Sequence, residues 1–338
     1  MEAVLTALAD QPELRQAMPG EFTRRAFENG RIDLTEAEGL ADLLEAETEA
    51  QRRAALAAAG GAIRRRVEEW QHRLVTLSAM AEAAIDYVGD EDEVGDADRQ
   101  IVHNATTLKA EMSEWLAQPR AEPLKEGIRV VLAGPPNAGK SSLLNALIGE
   151  DRAIVTAMPG TTRDVIEVPL SLDGSPFVFV DTAGLRDAAD LIERMGIERA
   201  EEQTRRADLV LWLGAPAAAP AGSRLIQIHA KADLAASESV EGALSVSSHT
   251  GEGLSSLKNA LVAVAREILP AGDRAALNQR QAQALTLAVQ ALGEVAPDDI
   301  VLKAEALRHA RHALDQLTGR AGIEDVLDEL FGRFCLGK

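Results

Sequence analysis

Residues Gly134-Pro135-Pro136-Asn137-Ala138-Gly139-Lys140-Ser141 match the spacing G-x-x-x-x-G-K-[ST]. In such a loop, backbone N–H groups from Asn137, Ala138 and Gly139 onward point at phosphate oxygens where a helix begins. Lys140 neutralises the terminal phosphates, Ser141 supplies a hydroxyl for Mg²⁺, and Ser142 follows in the same first turn. Downstream, Asp181-Thr182-Ala183-Gly184 follows an apolar run; there an Asp holds the water shell of Mg²⁺ and a Gly amide meets a terminal phosphate. Between these motifs, Pro159-Gly160-Thr161-Thr162-Arg163-Asp164 places Thr162 for a second Mg²⁺ contact on a switch loop.

Two later segments address the base. Ala230-Lys231-Ala232-Asp233 stands where Asn-Lys-x-Asp is usual. Asp233 can accept the N1 and N2 protons of guanine, which adenine lacks, and Lys231 can cover the ring. Ala230 gives up a hydrogen bond worth about 0.5–1.5 kcal/mol, so guanine preference survives with weaker binding. Ser245-Val246-Ser247-Ser248-His249-Thr250-Gly251 supplies the last base loop, through Ser247 and Ser248. Four motifs in this order read as a GTP hydrolase. Leu185, directly after Gly184, cannot orient water as a Gln there would, so other groups must place the nucleophile and offset charge.

The elements around these motifs alternate. Ile128 to Ala133 is a β-branched run feeding the phosphate loop, and a helix follows it. Val165–Leu172 and Pro176–Val180 flank Asp173-Gly174, a hairpin signal. Asp208–Leu213 and Arg224–Ile228 are two further buried strands. Alternating strands and helices give an α/β domain with a mainly parallel sheet over 127–269. Gly214 to Gly222 is too short and Pro-rich for a helical crossover, so one sheet face is trimmed there.

Either side of that domain reads as helix. Thr35-Glu36-Ala37-Glu38 predicts a capping box opening an Ala-rich helix that runs to Ala59. Ile63, Val67, Trp70, Leu74, Leu77, Ala81 and Ala84 step by three and four and form one packing stripe. Arg64, Arg65 and Arg66 beside it are a solvated basic turn or an RNA contact. Asp86 to Asp96 lacks the glycine and closing glutamate of a calcium loop and reads as a solvated acidic loop. Helices are expected again over 275–292, 299–318 and 322–334. The helical domain therefore comprises 35–120 and 271–338.

A length of 338 residues suits more than one domain, and 46% hydrophobic content excludes a disordered chain. Only 3% are aromatic, so the core is aliphatic. A single cysteine, Cys335, excludes a disulfide framework and fits a reducing cytoplasm. No apolar run reaches the ~20 residues of a membrane span, and the N-terminus lacks a secretory signal. A net charge of −19 repels nucleic acid, so any RNA substrate must be held by a local basic patch or a partner protein.

Together with Pro19-Gly20-Glu21-Phe22-Thr23, Asn29 to Thr35 and the terminal Phe334-Cys335-Leu336-Gly337-Lys338, the motifs resemble the tRNA modification GTPase MnmE (TrmE) family over nearly the whole chain. The terminal Cys-x-Gly-Lys after a helical domain is the most discriminating part. The resemblance implies a Ras-like P-loop domain inserted into an all-α domain, with residues 1–34 the last stretch of an α+β folate-binding and dimerisation domain. It implies a K⁺-stimulated, Mg²⁺-dependent homodimer that binds 5-formyl-tetrahydrofolate. With a flavin-dependent MnmG-type partner, in a heterotetramer, it would add a carboxymethylaminomethyl or aminomethyl group at carbon 5 of the tRNA wobble uridine. By the same resemblance Asn137, Thr156, Met158 and Thr161 hold K⁺, and Thr156 to Thr162, with Ala157, Pro159 and Gly160, line the nucleotide. Glu193 orients water, and Arg31 and Lys338 match folate contacts. Ala157-Met158-Pro159 departs from the family's Asp-Ile-Ala, and Pro159 stiffens that loop. Cys335 is either a nucleophile of the modification or an inert thiol; no neighbouring His activates it. Two other readings stay open: a ribosome-assembly switch acting by conformation alone, and an inactive remnant of the family.

Overall fold

The computed structural model describes residues 11–12, 14–86, 91–150, 166–181, 202–222, 224–234, 242–270, 275–295, 299–321, 327, 330, 331 and 334. They form two compact units: one from 1–45, 53–118 and 273–338, the other from 46–52 and 119–272.

The first unit opens with α1 (Glu21–Glu28) and α2 (Leu34–Glu45). Gly20 precedes α1 at φ 68, and a Cβ there would lie 2.5 Å from the Phe331 carbonyl oxygen, so only glycine fits. The cap of α2 differs from the expected Thr35–Glu38 box. Asp33 Oδ1 accepts from the Glu36 amide at 2.9 Å while Glu36 Oε2 accepts from the Asp33 amide at 2.9 Å. Thr35 is buried and donates to Asp33 Oδ1, and Glu38 is engaged elsewhere, by Arg280 and Gln281. The single Ala-rich helix also breaks in two. The Gln51 side chain accepts from the Glu47 and Thr48 amides, and Thr48 Oγ1 accepts from the Gln51 amide, which starts α3 (Glu49–Ala59) afresh.

Helix α4 (Ala62–Asp86) buries the expected stripe from Ile63 to Ala81 and also Gln71; Ala84 is half-buried. Helix α5 (Glu91–Leu116) takes in Glu91 to Asp96, so that part of the acidic segment is helix rather than loop. Among the described residues no cluster of three His, Cys, Asp or Glu could hold a metal.

The second unit adds a short α6 (Glu122–Glu126), then β1 (Ile128–Ala133) and α7 (Lys140–Glu150). Next come β2 (Ile166–Leu172) and β3 (Ser175–Asp181), a hairpin turning at Asp173 (φ 50) and Gly174 (φ 75). Both turn residues are left-handed, as a two-residue hairpin matched to strand twist requires. Then follow β4 (Leu209–Trp212), β5 (Leu225–Ala230), β6 (Leu244–Val246) and α8 (Leu254–Ile268). The strand order is β2-β3-β1-β4-β5-β6, parallel except for β2 against β3. Central β1 is buried at five of its six positions, as a strand covered on both faces must be. Between β4 and β5 the described residues hold only a three-residue turn of 3-10 helix, Pro216–Ala218, in agreement with the short Pro-rich linker. β6 is a strand that three residues of weak pattern do not announce.

Helices α9 (Gln279–Gly293) and α10 (Ile300–Thr318) complete the first unit. α9 starts four residues later than its apolar pattern, because Asn278 and Gln281 form a capping box there. Trp70, Leu74, Ile101, Leu108, Met112, Leu285, Leu307 and Leu314 from α4, α5, α9 and α10 share one core. Lys303 lies inside it, 1% exposed, paired with Asp98. Phe331 and Phe334 pack with Leu34, Ala37 and Ala41 in a second, smaller core.

Candidate functional site

The C-terminal ends of the parallel strands bring the motif residues to one edge of the sheet, where ligands of open α/β sheets bind. β1 ends at Ala133 and the chain turns through 134–139 into α7. Asn137 there is left-handed at φ 59 and Gly139 has φ 98, and a loop of this kind turns successive amides inward. Lys140 is 4% exposed, and its Nζ donates to the Gly134 oxygen at 3.0 Å and the Pro135 oxygen at 2.9 Å. The ammonium is thus curled over its own loop, where the terminal phosphates of a nucleotide would lie. Ser142 is exposed one residue beyond Ser141 in the first turn of α7.

β3 ends at Asp181, which is 4% exposed, and Ser141 Oγ donates to Asp181 Oδ2 at 2.6 Å. A hydroxyl and a carboxylate oxygen meeting beside the phosphate loop are the hard donors that Mg²⁺ takes, directly or through its waters. The residues present fit that ion.

β5 ends at Ala230 and leads into the base segment. Lys231 is left-handed at φ 61, and its Nζ donates to the Asn137 main-chain oxygen at 2.8 Å, tying this segment to the phosphate loop. Ser247 is fully buried just after β6, and its hydroxyl donates to Asp233 Oδ1 at 2.6 Å. The same Oγ accepts from the His249 and Thr250 amides, at 3.3 and 3.1 Å. The Ser247 hydroxyl lowers the pKa of Asp233, keeping its carboxylate charged as an acceptor. Ser247, expected from the sequence on the base loop, here holds the Asp233 carboxylate. Gly253 went unnoticed there: a Cβ on it would sit 2.0 Å from the Ser245 oxygen, so glycine lets the loop close on β6. A glycine two residues past Gly251 was the available signal.

Asn137, Ala138 and Gly139 thus lie on the turn after β1, Lys140 and Ser141 in the first turn of α7, Asp181 at the end of β3, and Lys231, Asp233, Ser247 and Ser248 on the turns after β5 and β6. Thr156, Ala157, Met158, Pro159, Gly160, Thr161, Thr162, Thr182, Ala183, Gly184, Glu193, Cys335 and Lys338 lie outside the described residues. Arg31 is exposed just ahead of the Asp33 cap, in the helical unit. The Arg64–Arg66 turn is engaged within its own unit: Arg64 pairs with Glu36 and Glu68, Arg65 donates to the Gly60 oxygen, and Arg66 pairs with Glu69 and lies over the Trp70 ring.

A phosphate loop on β1, a Mg²⁺-type carboxylate on β3 and base loops after β5 and β6 define a P-loop GTPase. The family model described as the MnmE helical domain matches residues 34–335. The tRNA modification GTPase MnmE of Novosphingobium aromaticivorans is 54% identical over 99% of this chain and 79% of its own length. That of Rhizorhabdus wittichii is 52% identical over 99% of this chain and 76% of its own. Among solved structures, the G domain of the T. maritima FeoB iron transporter is 28% identical over 41% of this chain and 98% of its own, at a TM-score of 0.30 that bears no weight. The chain belongs to the MnmE family of tRNA modification GTPases. It is a GTP hydrolase, and among the described residues no helix is long and apolar enough to cross a membrane.

Proposed function

We propose that the chain hydrolyses GTP to drive modification of carbon 5 of the tRNA wobble uridine, in the cytoplasm, as a homodimer working with a flavin-dependent MnmG-type partner. In the sequence the helical domain (35–120 and 271–338) lies on either side of the GTPase domain (127–269), and 1–34 belongs to the folate and dimerisation part. The observation that supports this most is the convergence of Lys140, Ser141, Asp181, Lys231 and Asp233 at one sheet edge, in a chain 54% identical to a family member.

In this reading the amides of 137–141 hold the phosphates, and Lys140 leaves its loop carbonyls to meet the terminal phosphate oxygens. Ser141 and Thr162 would hold Mg²⁺, with Asp181 binding its waters; the ion, when bound, neutralises charge on the phosphate oxygens. Asn137, with Thr156, Met158 and Thr161, would hold K⁺, which supplies the positive charge that an arginine gives elsewhere. Glu193 orients the attacking water, and Asp233 reads the guanine edge. Thr182, Ala183 and Gly184 carry the switch that follows Asp181. Arg31 and Lys338 would touch 5-formyl-tetrahydrofolate, and Cys335 lies in the same C-terminal motif.

The test is nucleoside mass spectrometry of tRNA from a deletion strain carrying this chain on a plasmid. Restored carbon-5 modification of the wobble uridine is expected. Unmodified uridine with the chain well expressed would refute the reading.

A further inference from the structure

The turn that leaves β4 lies against the start of the phosphate loop. The Leu213 amide donates to the Ala133 oxygen at 2.8 Å. A Cβ on Gly134 would come 3.1 Å from the Leu213 carbonyl carbon, and a Cβ on Gly214 would come 3.1 Å from Pro135 Cδ. Gly134 and Pro135 are the residues whose oxygens hold Lys140 Nζ. Two side chains fix the turn. Trp212 Nε1 donates to the Ala215 oxygen at 2.9 Å, and a Cβ on Gly214 would be 2.7 Å from the indole, so the ring closes over the turn. Gln227 pairs with Trp212 across β4 and β5, and its Nε2 donates to the Gly214 oxygen at 2.7 Å and the Trp212 oxygen at 3.3 Å. The Gly214 oxygen thus takes its hydrogen bond from a side chain, where a helical crossover would satisfy it with its own amide.

We propose that Gln227 is a positioning residue for the phosphate loop: by pinning the turn after β4 it holds Gly134 and Pro135, and with them the loop, in the shape that receives a nucleotide. The inference rests on the guanine-nucleotide reading of this site. Gln227 acts through the turn and not on the ligand. Without its donors the Gly214 oxygen loses its partner and the turn no longer presses on Pro135. The loop must then be ordered as the phosphates arrive, and that ordering is subtracted from affinity. The base side, reached through Asp233, is untouched, so the preference for guanine over hypoxanthine stays.

The experiment uses the full chain with fluorescent mant-GDP and mant-IDP, the second lacking the guanine amino group. Gln227→Met keeps the length of the side chain but has no donor. At a temperature where circular dichroism shows it folded, it is expected to weaken both nucleotides by the same factor, about two- to tenfold. KM for GTP should rise by that factor with kcat kept. Gln227→Glu, which sets a carboxylate against the same carbonyls, should weaken binding further. Should Gln227→Met fail to fold, Trp212→Phe, which keeps a ring and removes the donor to Ala215, is read in the same way, with a smaller loss expected. A folded variant that binds both nucleotides as wild type does, or that changes the ratio between them, overturns the proposal. So does a lower kcat at unchanged KM. Failure of the wild type to bind either nucleotide would instead count against the site reading itself.

Discussion

In the proposed reading Lys140 neutralises the terminal phosphates. Its ammonium is 4% exposed and held by the Gly134 and Pro135 carbonyls, which it exchanges for phosphate oxygens in the proposed reading. Lys140→Ala should lower GTP turnover by about 10²-fold or more, as loss of one preorganised donor does, measured as phosphate release at saturating GTP. Asp33 is the opposite case, a buried charge with an unfilled acceptor. It is 8% exposed, its Oδ2 has no hydrogen-bond partner among the described residues, and burial raises its pKa. An acid whose folded pKa is raised binds its proton more readily in the folded state. Its ionisation therefore costs stability as pH rises above the ordinary value of 3.8, and the cost persists at neutral pH. Asparagine caps a helix as well as aspartate, without the charge. Asp33→Asn is expected to melt at a higher temperature than wild type at pH 7, with the gap narrowing toward pH 4; a gap constant with pH would contradict the burial argument.

At the scale of elements, close approach between α2 and α3 depends on one missing side chain. A Cβ on Gly39 would lie 2.4 Å from the Ala59 amide nitrogen and 2.8 Å from Ala58, which are backbone and methyl atoms that cannot swing away. Gly39→Ala should destabilise the helical unit by about 1–3 kcal/mol, the range for overpacking, read from chemical denaturation. Apolar period announced β1 and α4, because β1 and the Ile63–Ala81 stripe are buried on the faces their spacing dictates, whereas it did not announce β6. Helix starts were harder to read. Thr35–Glu38 and Asp33–Glu36 both satisfy a capping pattern locally, and the choice falls to Asp33 because Arg280, 242 residues away from Glu38 in sequence, takes that carboxylate. The break at 46–48 was hidden for a similar reason: Gln51 turns back to accept from Glu47 and Thr48. The phosphate and base motifs were legible outright because their chemistry fixes residue type and spacing. What Ser247 and Gly253 do was not, since each acts through a contact between loops.

For the whole molecule, a chain of net charge −19 gains no general attraction to RNA, and the Arg64–Arg66 run is engaged by Glu36, Glu68, Glu69 and the Gly60 oxygen. Under the proposed function, recognition of tRNA then falls to a local surface or to a partner protein. The proposed function also assigns K⁺ the positive charge beside the β/γ-phosphates that an arginine supplies elsewhere. Comparing GTP turnover of the purified chain in potassium and in sodium chloride at equal ionic strength probes this most directly. Hydrolysis should be markedly faster in potassium, and equal rates in the two salts would contradict the account.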